Sequence, residues 1–550
     1  MDFTSFGASY SPLLVQILYN RNLKNHEQAQ KFIDADDNFS NDAALLPDIH
    51  LATERVYRAI LSGEKIAVYG DFDADGITAT ALMVKGITNL GGDITPYIPN
   101  RLTEGHGLKI GPLEKLAQEG ISLVITVDCG VTAIQEVKYA SKIGLDIIIT
   151  DHHNPLSELP PAVAVVNPKR SNSVYPFPYL AGVGVAFKFL QGLYHSVGRA
   201  DYLDELLDLV AIGTIADLMP LSGENRYLVK KGLAVINDEP RPGLKKLIER
   251  AALKEGSLIS DNISWGLAPR LNAASRLEHA MPSYRLLMSE NERETEQLAD
   301  WLENKNSERQ RLTFSFHTRA VGEIKAIEKL PPLLFVCDEE YPTGLLGLVA
   351  GRLTDEFYHP SIVVHKGEQQ SSGSCRSIPE FNIAAALEEC AELFTYFGGH
   401  AQAAGFTLAT ANLPRLREKL NAIAIRELED TELIPHLEVD AEVRLSELTG
   451  DTYTHISQLA PFGRGNPSPI FLSRGVTVIG AQQMGGNGNH LKLKLKQGDT
   501  LWNGVAFRKG EALHDIMHQP VDFVYNLELD NWRGVETLRL NIADFTPTVI

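Results

Sequence analysis

Short apolar runs recur in the first third of the chain, each closed by Gly or Asp and followed by a segment of helical periodicity. Lys65-Ile-Ala-Val-Tyr69 leads through a Gly/Asp turn into the helix-like segment Thr78–Leu90. Leu123-Val-Ile-Thr-Val-Asp128 ends at Cys129-Gly130, with a helix near Thr132–Ile143, and Leu145–Ile149 runs into Thr150-Asp151-His152-His153. Continuous apolar strands alternating with helices predict a parallel sheet buried on both faces. Helical segments follow from about Val183 to Leu218, and a charged, mostly helical region reaches about Lys329. Its Glu292–Lys329 part has Gly322 as its one glycine, which predicts a long connecting helix. A second α/β unit starts at Pro331-Pro-Leu-Leu-Phe-Val336 and runs to about Glu432. The pattern then changes to short strands between Gly and Pro turns, Val476–Gly480, His490–Leu495 and Leu527–Leu529 among them, which predicts a small β-barrel or sandwich. The resulting boundaries are a helical extension over 1–48, an α/β domain over 49–220, a helical connector over 221–330, a second α/β domain over 331–435 and a β domain over 436–550.

Composition narrows the class. The 550 residues give ample core volume, and 44% hydrophobic with 22% charged residues reads as an ordinary globular chain. No apolar run is long enough to span a membrane, and Met1–Leu18 has no cationic lead before an apolar stretch. Cys129, Cys337, Cys375 and Cys390 lie far apart in no ligand-like spacing, so the expectation is a reducing cytoplasm and no disulfide framework. The formal charge of −19 speaks at first against nucleic acid, but residues 63–220 alone hold 18 acids against 11 bases.

Six of those acids are placed to work together. Asp71, Asp73 and Asp75 follow the first strand, Asp128 ends the next, Asp151 with His152 and His153 follows the third, and Asp217 follows the apolar run Leu209–Ile215. Ligands of an open parallel sheet gather at the carboxyl ends of its strands. So many carboxylates in one place raise each other's pKa unless cations intervene. Carboxylates with an imidazole suit manganese or magnesium, and two ions sharing a carboxylate can activate water and stabilise a leaving oxygen. A calcium loop would need Glu at the twelfth position from Asp71, where the chain has Leu82.

Gly70-Asp-Phe-Asp-Ala-Asp-Gly76, Val127-Asp-Cys-Gly130, Thr150-Asp-His-His153 and Ala216-Asp217 resemble the four motifs of the DHH phosphoesterase superfamily. The resemblance implies that Asp73, Asp75, Asp128, His152 and Asp217 hold two divalent ions, manganese or magnesium, with Asp128 bridging. Asp71 would be a further ligand or a supporting acid, Asp151 would orient the histidines, and His153 would face the scissile phosphate. Manganese pyrophosphatases of this superfamily need a metal-binding His four residues before Asp73, where the chain has Tyr69. The region 331–432 adds Gly347-Leu-Val-Ala-Gly-Arg352, Gly373-Ser-Cys-Arg-Ser377 and Gly398-Gly-His400, the last of which resembles the phosphate-contacting element of the DHH-associated domain.

Pro99-Asn-Arg101-Leu-Thr-Glu-Gly105-His-Gly, Pro269-Arg-Leu-Asn-Ala-Ala-Ser-Arg276 and Leu459-Ala-Pro-Phe-Gly-Arg-Gly-Asn466 resemble the bacterial RecJ exonucleases over almost the whole chain. The resemblance implies a C-terminal OB-fold and a single-stranded-DNA-specific exonuclease that works 5′→3′, releasing mononucleotides in DNA repair and recombination. Arg101 and Arg276 would grip terminal phosphates, with Ser374, Arg376, Ser377 and His400 on the facing wall. Phe462, Arg464, the alternating Lys492, Lys494 and Lys496, Phe507, Arg508, Lys509 and Trp532 are the candidates for strand contact in the OB-fold; the lysine alternation equally fits a solvated strand face. The implied partners are single-stranded DNA, a single-strand-binding protein and a RecQ-type helicase, with the chain itself a cytoplasmic monomer. Two alternatives remain: an oligonucleotide or cyclic-dinucleotide phosphodiesterase, which the stretch 440–550 disfavours, and a catalytically inactive strand-binding scaffold, which would have broken metal motifs.

Overall fold

The computed structural model describes residues 4–6, 10–195, 197–485, 488–517, 519–532 and 535–548. Five strands form the first sheet: β1 (Lys65–Tyr69), β2 (Asp93–Tyr97), β3 (Ile121–Val127), β4 (Asp146–Thr150) and β5 (Ala164–Val166). All neighbours run parallel in the order β2-β1-β3-β4-β5. β1, β3 and β4 are buried almost end to end, as helices on both faces require. The strand order reverses direction between β1 and β3, and a doubly wound sheet opens its crevice at that switch point. The acids after β1 and β3 therefore share one rim.

The helices Ala74–Asn89, Gly182–His195 and Leu207–Ala216 pack together on one side of this sheet. The last of these carries Asp217 at its C-terminal end, so that acid is placed by a helix and not by a fourth strand. Long-helix composition holds over Glu292–Lys325, a 34-residue helix capped at its start by Asn291. The second sheet has β6 (Leu334–Asp338), β7 (Ser361–His365), β8 (Gln370–Arg376), β9 (Phe394–His400) and β10 (Ala403–Ala409), ordered β6-β7-β8-β10-β9. Only β6 and β7 pair in parallel.

The remaining strands are β11 (Ala441–Glu442), β12 (Phe471–Met484), β13 (His490–Gln497), β14 (Thr500–Ala506), β15 (Pro520–Trp532) and β16 (Val535–Pro547). Pairing of β12 with both β13 and β15 closes them into a barrel. In β13 the leucines 491, 493 and 495 turn inward and Lys492, Lys494 and Lys496 outward, the two-residue period of a half-buried strand.

Contacts divide the chain into two compact units, each joining segments distant in sequence. One unit is Asn41–Met219 with Lys231–Pro435; the other joins Met1–Ser40, Pro220–Lys230 and His436–Ile550. The N-terminal helix Pro12–Asn20 buries Leu14, Val15, Ile17 and Leu18 in the same core as the barrel residues Phe471, Leu493 and Phe523. Arg226, fully buried, stacks 4.0 Å over Phe32 and donates to the carbonyls of Phe32, Gln458, Leu459 and Ala460. Burial lowers its pKa to about 10, which leaves it charged. The four cysteines are free thiols. Among the described residues no helix is long and apolar enough to cross a membrane.

Candidate metal centre and strand-binding residues

Each acid of the rim is held by a local device. Asp73 is the N-cap of the helix Ala74–Asn89, accepting from the amides of Asp75 (3.0 Å) and Gly76 (3.1 Å). Asp75, the second residue of that helix, accepts from the amides of Gly182 (2.7 Å) and Val183 (2.8 Å) at the start of another helix, where the dipole favours a carboxylate. Asp128 takes a left-handed backbone, φ 60°, and its amide donates to Thr150 O. Such a conformation strains a non-glycine residue and persists where the surroundings impose it. Gly182 is part of that constraint: a Cβ there would lie 2.5 Å from Asp128 Cβ. Asp151 accepts from the amides of Val131, His152 and His153, and its Oδ1 stands 2.8 Å from His153 Nδ1.

These devices converge. His152 Nε2 lies 3.1 Å from Asp128 Oδ1, 3.6 Å from Asp217 Oδ2 and 4.0 Å from Asp75 Oδ2. Ligand atoms of Asp71, Asp73 and Asp128 lie within 4.8 Å of one another, as do those of Asp75, His152 and Asp217, and those of Asp128, His152 and His153. Asp128 and His152 each belong to two of the three groups.

Burial, and then the neighbouring carboxylates, push Asp75 and Asp128 well above the usual carboxylate range. Burial also opposes ionisation of Asp71, but His106 and Arg101 overcome it and hold that carboxyl below its usual range. Burial and the adjacent His153 lower His152 to about 3, the neutral imidazole a metal requires. His153 loses some charge stability to burial, yet Asp151 raises it to about 9, so it is an imidazolium at neutral pH.

The donor set fits divalent cations. Asp71 Oδ1 and Asp128 Oδ1 are buried and accept no hydrogen bond, a costly state for carboxylate oxygens unless a cation satisfies them. The ligands are oxygen with one or two imidazoles and no thiolate, which suits manganese or magnesium over structural zinc.

Beside the acids stands a wall of arginines. Arg276 is surrounded by Arg101, Arg309 and Arg376, and burial together with these like charges pulls its pKa well down. Among the described residues, none of the four pairs with a carboxylate. Arg276 donates to Gly344 O, Arg309 to Asn306 Oδ1, Arg376 to Cys375 O and Ser374 Oγ, and Arg101 lies 4.7 Å over the Phe72 ring. Unpaired arginines of one sign fit an anionic ligand with several phosphates.

Not every expected contact residue joins this wall. Ser377 spends its hydroxyl on Phe381 O, which makes it a turn residue. His400 is exposed at the end of the edge strand β9, two strands from β8. Phe462 and Arg464 belong to the other unit, where Phe462 packs against the barrel core. The side chain of Trp532 lies outside the described residues.

Three further residues have roles that the sequence motifs do not assign. Asn272, one helical turn before Arg276, accepts from Ala74 N (2.8 Å) and so braces the Asp-rich turn; the four-residue spacing from Arg276 was its signal. Arg309 sat in a charged helix with nothing to single it out. His106 stands 3.1 Å from Asp71, which raises its pKa, and its ring meets that of His153 edge-on. It lies within the Pro99–Gly107 motif, which gives it no role by itself.

Models of known families match in the same order. The DHH family N-terminal domain matches residues 65–214, the DHHA1 domain residues 330–425 and the RecJ OB domain residues 439–544. The single-stranded-DNA-specific exonuclease RecJ of Bacillus subtilis (strain 168) is 37% identical over 537 residues, 97% of this chain and 68% of that protein. The crystal structure of RecJ from Thermus thermophilus with Mn2+ superposes with a TM-score of 0.85 at 28% identity, over 100% of this chain and 78% of that one. The structure with Mg2+ gives 0.79 at 28% identity, over 100% and 77%. A doubly wound domain with carboxylates and histidines crowded at its switch point defines a metal-dependent DHH phosphoesterase. Within that class the chain belongs to the RecJ family of single-stranded-DNA-specific exonucleases. The cations such a centre takes are manganese or magnesium.

Proposed function

We propose that this chain degrades single-stranded DNA from the 5′ end, hydrolysing one phosphodiester at a time to a nucleoside 5′-monophosphate. The observation that carries the reading is the adjacency of two ligand sets, joined where His152 stands 3.1 Å from Asp128, to a wall of arginines without carboxylate partners among the described residues. Asp71, Asp73 and Asp128 would hold one divalent ion, and Asp75, His152 and Asp217, with Asp128 between the sets, the other. Bound there, the ions would lower the pKa of water and neutralise the charge that develops on the phosphoryl oxygens.

The protein's own groups do the rest. Asp151 fixes the His153 ring, so that its imidazolium faces the scissile phosphate with a charge already in place. Arg101, Arg276, Arg376 and Ser374 bind the phosphates at the strand's 5′ end and set the register of cleavage. The outward Lys492, Lys494 and Lys496 draw the backbone of the incoming strand onto the OB-fold. None of these three lysines has an ion-pair partner among the described residues. A single-strand-binding protein and a RecQ-type helicase are partners of the kind that would supply and protect such a strand.

The deciding experiment gives 5′- and 3′-labelled single strands to the protein with manganese. The 5′ label leaves first, as a mononucleotide. First release of the 3′ label, or binding without release, contradicts the proposal.

A further inference from the structure

Two carboxylate–imidazole pairs face one another at the rim. Asp151 Oδ1 is 2.8 Å from His153 Nδ1, and Asp71 Oδ2 is 3.1 Å from His106 Nδ1. The two aspartates are buried, whereas the histidine side chains keep 37% and 45% of their surface open. Their ring centroids are 5.7 Å apart at 69°, and the Phe72 ring meets His106 edge-on at 6.2 Å and 79°. A carboxylate at Nδ1 fixes the ring and leaves Nε2 as the nitrogen for a ligand.

The loop that carries His106 is built to present it. Gly105 (φ 74°) and Gly107 (φ 82°) flank it in left-handed backbone, and a Cβ on either would meet nothing within 4 Å. They serve the conformation and not the space. Tyr69 Oη donates to Gly107 O at 3.1 Å, and Gly105 N donates to Asn100 O at 3.2 Å, which anchors the loop on both sides. The same loop delivers Arg101 over Phe72.

We infer that His106 is a further catalytic residue, whose Nε2 hydrogen-bonds a non-bridging oxygen of the scissile phosphate opposite His153. At this ring separation two donors about 2.8 Å long reach oxygens of one phosphoryl group. Asp71 then has two tasks, its Oδ2 orienting His106 while its Oδ1 stays open to a cation. The inference deepens the exonuclease reading and rests on it.

The test is a series at one position. A Gln amide reaches the place of Nε2, whereas an Asn amide reaches only that of Nδ1. His106→Ala lowers kcat on single-stranded DNA with manganese about 100-fold, the loss expected of one oxyanion donor, with KM within threefold. His106→Gln recovers at least tenfold of this and His106→Asn does not, while manganese bound, counted by electron paramagnetic resonance, stays within twofold throughout. Rescue by Asn and not by Gln makes His106 a mere brace for Asp71 and overturns the inference, as does a drop that tracks lost manganese or an Ala variant of full activity. Titration with a 5′-mononucleotide in manganese reads the same contact without turnover. Binding at least fivefold weaker in Ala and Asn, and within twofold in Gln, supports His106 even where the strand assay refutes the exonuclease reading; equal binding in all refutes His106 alone.

Discussion

Gly182→Ala tests whether the left-handed Asp128 is held where it stands by close packing. The new Cβ would lie 2.5 Å from Asp128 Cβ and 2.6 Å from Oδ1. Unstrained carbon contacts fall at about 3.5–4.0 Å, so something must yield by about 1 Å. The helix start that carries residue 182 is tied to Asp75 by two amides, and Asp128 is tied by its own amide to Thr150, so the carboxylate is the softest element. Misplacing a catalytic group by about 1 Å costs about 100-fold in rate, or about 2.7 kcal/mol of barrier. Stability moves less: Ala in a helix gains about 0.5–1 kcal/mol over Gly, against about 1–3 kcal/mol of overpacking. Strand degradation with manganese, manganese affinity and thermal melting measure the three quantities. The expected outcome is a melting temperature within about 5 °C of the parent and activity down about 100-fold. Gly184→Ala is the control, because its Cβ meets Leu180 at an ordinary 3.4 Å and should be silent. Full activity with unchanged manganese affinity in Gly182→Ala refutes the reasoning.

Asp128→Asn abolishes strand degradation while near-native far-ultraviolet circular dichroism persists; activity within tenfold of the parent contradicts its place between the two ligand sets. Manganese raises the melting temperature more at pH 8 than at pH 5. Asp75 and Asp128 have raised folded-state pKa values, so without metal the folded chain binds more protons than the unfolded one and loses stability as pH rises from the ordinary carboxylate range through the raised values, a loss that bound cations remove. Alanine at Lys492, Lys494 and Lys496 together lowers the slope of log affinity for single strands against log salt by about 2, at about 0.7 per phosphate contact; an unchanged slope removes those lysines from the strand path. Arg226→Met leaves four carbonyls without their donor and destabilises the barrel unit by about 3–5 kcal/mol, seen as faster amide exchange in 436–485.

The acids were legible because residue type, spacing and position after apolar runs all pointed one way. What the pattern blurred were places where side chains act on backbone or on distant segments. The first helix read as starting at Thr78 because Asp73 and Asp75 looked like a turn, although Asp73 caps a helix that begins at Ala74. β2, Asp-Ile-Thr-Pro-Tyr, is a half-exposed edge strand carrying a proline, so it shows no apolar run. β12 was seen only from Val476 to Gly480, because Arg474-Gly475 marks an irregularity in a strand of 14 residues. His106 and Asn272 carry no periodic signal, and their roles exist only once Asp71 and Ala74 are brought to them. Arg226 was hidden for a related reason: its acceptors are carbonyls from two ends of the chain, which no local pattern reports.

The barrel unit draws its core from both ends of the chain, and this sets an order of events during synthesis. The helix Pro12–Asn20 emerges before the strands it packs against, which begin after His436. At about 5–20 residues per second, the ribosome takes roughly 20–80 s to make the stretch between them. For that time Leu14, Val15, Ile17 and Leu18 have no barrel to pack against, while the other unit can already close around its own sheets. The helix Pro12–Asn20 is therefore made long before it is buried, and truncation within 436–550 should leave it exposed to chaperones and proteases.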